Sequence, residues 1–171
     1  MREQPIFTIR PATEADTPLI LQFIRAIAEY EHLSDEVSAT EQDLRAHLFR
    51  EPRRAEVVFA CEREEPVGFA LFFHNFSTFV GKPGLYLEDL FIFPEHRGKG
   101  YGRALMIHLA RVARDRGCGR FEWTVLDWNT PSIEFYRSLG AASKSEWIIQ
   151  RVSGTALEEL AGQPLFTAAD C

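Results

Sequence analysis

The chain of 171 residues has little cysteine, only Cys61, Cys118 and Cys171, and these stand far apart. Without a CxxC pair there is no sign of a disulfide framework or of a zinc site. The five histidines show no HxxxH spacing, so no metal is expected. Apolar runs stay well below the ~20 residues a membrane span needs, and the opening MREQPIFTIR is too polar for a signal peptide. Basic residues are also scarce, 19 against 25 acids for a formal charge of -6, which argues against a broad nucleic-acid surface. What remains is a hydrophobic share of 46% and a charged share of 26%, enough to bury a core as one domain over 1–171 with a polar tail from 153. The expectation is a cytoplasmic enzyme or binding protein, with neither nucleic acid nor membrane as partner.

Periodicity then divides the chain. FTIR (7–10) reads as a strand ended by Pro11. Thr13 and Asp16 form a capping-box pattern ahead of an apolar stripe through Leu19, Ile20, Phe23, Ile24 and Ile27 that finishes near AEYEHL. TEQD from Thr40 opens a second, shorter helix carrying Leu44 and Leu48. The runs AEVVFACE, VGFALFFHNF and LYLEDLFIF then change the period. They read as three successive antiparallel strands, the first two joined by a tight turn at REEP (63–66). Strand RFEWTVL (120–126) follows a long helix, which implies a crossover between parallel neighbours. Asn129 caps a further helix with Pro131 in its first turn and Gly140 as its stop, and EWIIQRV (146–152) reads as a final strand. The fold class is mixed α/β: a mostly antiparallel central sheet, helices on both faces, and one parallel β-α-β crossover.

The long helix opens on EHRGKGYGRAL, with Gly98, Gly100 and Gly102 alternating with larger residues beside Arg97, Lys99 and Arg103. Glycines inside a helix cost roughly 1 kcal/mol each against alanine, and a bound anion would offset that loss. The run is neither a P-loop, which needs GxxxxGK and then Ser or Thr, nor a dinucleotide fingerprint, because Arg103 occupies the third glycine position of GxGxxG. Its R-x-x-G-x-G form would aim backbone N–H groups and the positive end of a helix dipole at one spot, where a pyrophosphate fits. Taken alone, a solvated basic turn fits equally well.

Context decides between them. LYLEDLFIFPEHRGKGYGRAL resembles the acyl-CoA-binding core of the GNAT N-acetyltransferase superfamily, VLDWNTPSIEFYRSLGA is similar to its later segment, and TIRPATEAD to its opening. The likeness is nearest to the diamine (spermidine/spermine) acetyltransferases and their thialysine-acetylating relatives. Phe79 in FVGKPG stands where the polyamine-acetylating members carry a tryptophan, while VLDWN, with Asp127, is nearer the thialysine-type pattern.

The resemblance implies acetyl-CoA as cosubstrate, held by the backbone of Leu90, Phe91 and Ile92, by the loop Arg97, Gly98, Lys99, Gly100, Tyr101, Gly102 and Arg103, and by Asn129 and Ser132. It implies Tyr136 as the general acid beside the coenzyme sulfur. Glu88 is the candidate general base; whether it deprotonates the amine or only binds it stays open. Around the amine the resemblance sets Tyr30, Glu31, Glu88, Asp89, Glu122, Trp123, Thr124 and Trp147, carboxylates and aromatic faces suited to a cation. No cysteine lies in a motif for an acetyl-enzyme, so direct transfer to a small primary amine is expected, in a homodimer. The rival readings are an enzyme acetylating another amine, such as an amino acid, a drug or a protein lysine, and a domain that senses CoA without turnover.

Overall fold

The computed structural model describes residues 7–165. The end of the polar tail, Cys171 included, lies outside the described residues. Two compact units meet in sequence at Thr124 and Val125.

The first unit carries a five-stranded sheet in the order β1 (Phe7–Pro11), β2 (Glu56–Glu62), β3 (Glu65–Ser77), β4 (Lys82–Ile92) and β5 (Arg120–Trp123). Pairing is antiparallel from β1 to β4 and parallel between β4 and β5, the crossover being made by a helix between them. Five consecutive β2 residues, Val57 to Cys61, are buried, so both faces of the sheet are covered. On one face Val57, Phe59, Cys61, Phe69 and Phe91 form a core with Ile20 and Phe23 of α1 (Thr17–Tyr30). The Phe23 ring lies 4.6–5.8 Å from the rings of Phe59, Phe69 and Phe93. Truncating so enclosed an aromatic costs roughly 3–5 kcal/mol. Helix α3 (Tyr101–Asp115) buries Leu105, Met106 and Leu109 outside that cluster and packs on β3 and β4.

Local signals are used as the sequence suggests. Asp16 accepts from the Thr13 backbone N–H at 2.7 Å and from its hydroxyl at 2.9 Å, closing a short turn that leads into α1. Asp43 likewise accepts from the Thr40 N–H and hydroxyl, and the Thr40 hydroxyl accepts in turn from the Asp43 N–H at 3.2 Å, starting α2 (Glu41–Leu44), which widens into a π turn over Arg45–Phe49. The β2–β3 connection is the two-residue turn Arg63–Glu64, and both residues have positive φ (50° and 71°), as a type I′ turn requires.

The second unit contains α4 (Thr130–Ser138) and α5 (Thr155–Ala161). Asn129 caps α4 by accepting from the Ser132 N–H at 3.3 Å, and Gly140 ends that segment with φ 90°. Here the expectation of a final strand fails. Residues 146–152 form no strand, and Trp147, Ile148 and Ile149 are 73%, 79% and 64% exposed. Alternation gives a segment two faces but no hydrogen-bonding neighbour, and no other strand is described in this unit. The strand expected over 120–126 stops at Trp123, where pairing with β4 also ends.

Candidate active site

Two irregularities of β4 create the site. Leu71 of β3 faces Asp89 and the next residue, Phe72, faces Leu87, so Glu88 is an extra residue without an opposite partner, a β-bulge. A bulge reverses which side chains share a face. Strict alternation would put Leu87 and Asp89 together. With the bulge, Asp89 and Phe91 lie on the α1 side with Leu71 and Phe69, and Leu87 points the other way with Phe72. The second irregularity is the end of β4–β5 pairing at Leu87 and Trp123. Beyond it, the β5-side edge of Glu88–Ile92 has no ladder partner within this unit.

On the α1 side a cleft of about 370 Å³ is lined by Glu31, Glu36, Glu88 and Asp89 together with apolar groups such as Ile27 and Val37. No basic side chain is among its lining residues. Burial, then the charges of Glu88 and Glu31, push the Asp89 carboxyl up to about 7. Burial also raises Glu31, which caps the C-terminus of α1, where the helix dipole already disfavours an acid. A cleft that assembles four carboxylates, with Asp89 and Glu31 partly desolvated, attracts a cation and offers it a proton acceptor near neutrality.

At the end of β4 the chain makes a short turn (Pro94–His96) and enters α3 through the glycine loop. Gly98 and Gly100 have φ of 75° and 87°, with nothing within 4 Å of where a Cβ would stand. Whereas side chains cap α2 and α4, Gly100 caps α3 without a side-chain bond, and the first turn of α3 contains no acid. The opening N–H groups of a fifteen-residue helix therefore have no side-chain cap at the dipole's positive end.

The predicted residues fall into several places. Glu31, Glu88 and Asp89 share the cleft. The Tyr30 ring lies 4.8 Å under the Arg97 guanidinium, whose Nε donates to the Ile92 carbonyl at 2.9 Å and which also covers the Phe91 ring at 5.2 Å. Lys99 is paired with Glu62, and exposed Arg103 pairs with no acid among the described residues. Glu122 accepts from Asn75 at 3.1 Å and lies 2.8 Å from Arg120, and Thr124 is 3.5 Å from the Tyr86 hydroxyl. Trp123 packs on Phe121 at the end of β5. Asn129, Ser132, Tyr136 and Trp147 belong to the second unit, with Tyr136 half-buried on α4 beside Phe135. Sequence reasoning missed Glu36 and Glu62. No motif marks either one; Glu36 ends a short 3-10 turn (Ser34–Glu36) and Glu62 ends a strand.

Residues 21–141 match the acetyltransferase (GNAT) family. The chain belongs to this family. It is an N-acetyltransferase, similar along most of its length to proteins of known activity. A thialysine N-epsilon-acetyltransferase of Bos taurus is 41% identical over 91% of this chain and 97% of its own. An L-ornithine N5-acetyltransferase of Arabidopsis thaliana is 32% identical over 89% of this chain and 86% of its own. Among solved structures, an integron cassette protein from the mobile metagenome of V. cholerae superimposes with a TM-score of 0.77 at 31% identity, covering 92% and 98% of the two chains. The family uses acetyl-CoA as cosubstrate. A glycine-led helix without a side-chain cap and a strand edge without a ladder partner suit its diphosphate and its extended arm.

Proposed function

We propose that this acetyltransferase moves the acetyl group of acetyl-CoA directly to a primary amine of a small diamine, polyamine or thialysine-like substrate. The observation that carries the proposal is the bulge at Glu88, which turns Asp89 into a cleft of carboxylates just past the point where β4 leaves β5. Backbone groups of Leu90, Phe91 and Ile92 pair with the pantetheine arm, and one N–H of that stretch polarises the thioester carbonyl. The loop from Gly98 to Arg103 takes the diphosphate, with Asn129 and Ser132 at the next helix start as further contacts.

An alkyl amine with a pKa near 10.4 arrives protonated and has to lose that proton before it attacks. Glu31, Glu36 and Glu88, which line the cleft, draw in the cation. Glu88 and Asp89 together accept the proton, and the high Asp89 value fits that task at neutral pH. Tyr136 returns a proton to the leaving thiolate. The proposal includes a cytoplasmic homodimer, the dimer resting on likeness to the diamine acetyltransferases.

A thiol-release assay with acetyl-CoA and a panel of diamines, spermidine, thialysine, ornithine and amino acids lacking a side-chain amine tests this reading. Release with the first group and little with the last supports it. Binding of CoA without release for any amine would make the chain a sensor.

A further inference from the structure

Glu62 ends β2, and its side chain is only 16% exposed. Its Oε2 accepts from Lys99 Nζ at 2.9 Å and lies 2.9 Å from His96 Nδ1, while Oε1 accepts from Lys99 at 3.2 Å. His96 and Lys99 flank Arg97 and Gly98, so one carboxylate grips the glycine loop on both sides of its first left-handed residue. Lys99 and His96 hold the Glu62 carboxyl down at about 2, which keeps it charged throughout the working range. Next in the chain, Tyr101 is buried and stacks on Phe7 at 4.8 Å with the rings 11° apart. Arg97 is drawn to the other side, onto the Ile92 carbonyl and the Tyr30 ring. Two side chains that look like phosphate ligands in sequence, Arg97 and Lys99, are thus spent on fixing the loop.

We infer that Glu62 is a positioning residue for the coenzyme: by clamping His96 and Lys99 it sets the backbone of Gly98 and Gly100 to receive the diphosphate, and Lys99 acts through that clamp rather than as a phosphate ligand. The inference rests on reading the loop as the diphosphate site. It also departs from the plain expectation for an anion pocket, where a nearby carboxylate weakens binding by repulsion.

Isothermal titration of CoA into the full chain, with Glu62→Ala, Lys99→Ala and the double variant, separates the alternatives. Each single change is expected to weaken CoA roughly tenfold, the worth of a lost charged hydrogen bond, and the double change no further. Glu62→Gln, which can still bond both partners, should keep most of the affinity, and the amine KM should not move. CoA binding to Glu62→Ala as tight as wild type, or tighter, overturns the inference, and so do additive losses. If Glu62→Ala does not fold, Lys99→Ala decides by salt titration. An unchanged dependence of affinity on salt supports the clamp, and a shallower one makes Lys99 a direct phosphate contact. A wild-type chain that fails to bind CoA would instead remove the reading of the loop itself.

Discussion

Asp89 keeps its proton up to about pH 7 because it is buried beside Glu88 and Glu31. A base has to be ionised, so kcat/KM for the amine is expected to rise with pH through that value. Asp89→Asn should flatten this limb and lower kcat/KM roughly a hundredfold, the usual worth of a positioned base, as a pH–rate profile would read. The same group affects stability with the opposite sign. Its folded value lies above the ordinary one near 3.9, so its stabilising contribution is complete below about pH 4 and lost as pH rises through 7. At pH 8 Asp89→Asn should therefore melt above wild type, with the gap closing toward pH 5 in thermal scans. Tyr136→Phe makes a different test: a large fall in kcat with CoA affinity intact supports the acid role, whereas equal losses in both mean the phenol serves packing.

The elements were legible wherever one residue's own chemistry starts or stops them. Thr40 and Asn129 cap the segments they were expected to cap, because a short polar side chain reaches the N–H groups three residues on wherever the chain lies. Thr13 instead opens a short turn with Asp16, and the helix expected to start there begins at Thr17. The bulge was not legible. LYLEDLFIF reads as one uninterrupted apolar strand run, and only the pairing with β3 reveals that Glu88 has no opposite residue. Two element-level outcomes follow. Gly100 holds φ 87° with open space around it, so Gly100→Ala adds strain and no clash; it should cost about 1 kcal/mol of stability and weaken CoA severalfold by calorimetry. In the Arg63–Glu64 turn both residues occupy the region that Asn-Gly prefers. The exchange Arg63→Asn with Glu64→Gly should raise stability by about 1 kcal/mol in urea titration, with activity unchanged.

For the molecule as a whole, the formal charge of -6 and the acid-lined cleft act together on a cationic substrate. Raising the salt shortens the Debye length from ~10 Å near 0.1 M to ~3 Å near 1 M. The amine KM should climb severalfold over that range while kcat holds, as initial-rate measurements would read. A flat response would mean that contact, and not long-range attraction, selects the amine. Sedimentation equilibrium checks the proposed homodimer, which predicts twice the chain mass.

The order of strands and helices, the caps, the tight turn and the glycine-led helix could be read from the chain, since each depends on interactions within a few residues. So could the family, because its motifs are contiguous. Folding alone brought Glu36 into the cleft beside Glu31 and Asp89, which the resemblance had set around the amine, placed Glu62 against a loop more than thirty residues further on, and left 146–152 without a strand partner. Such outcomes depend on register and on which backbone edges find neighbours, and those are settled between segments remote in sequence.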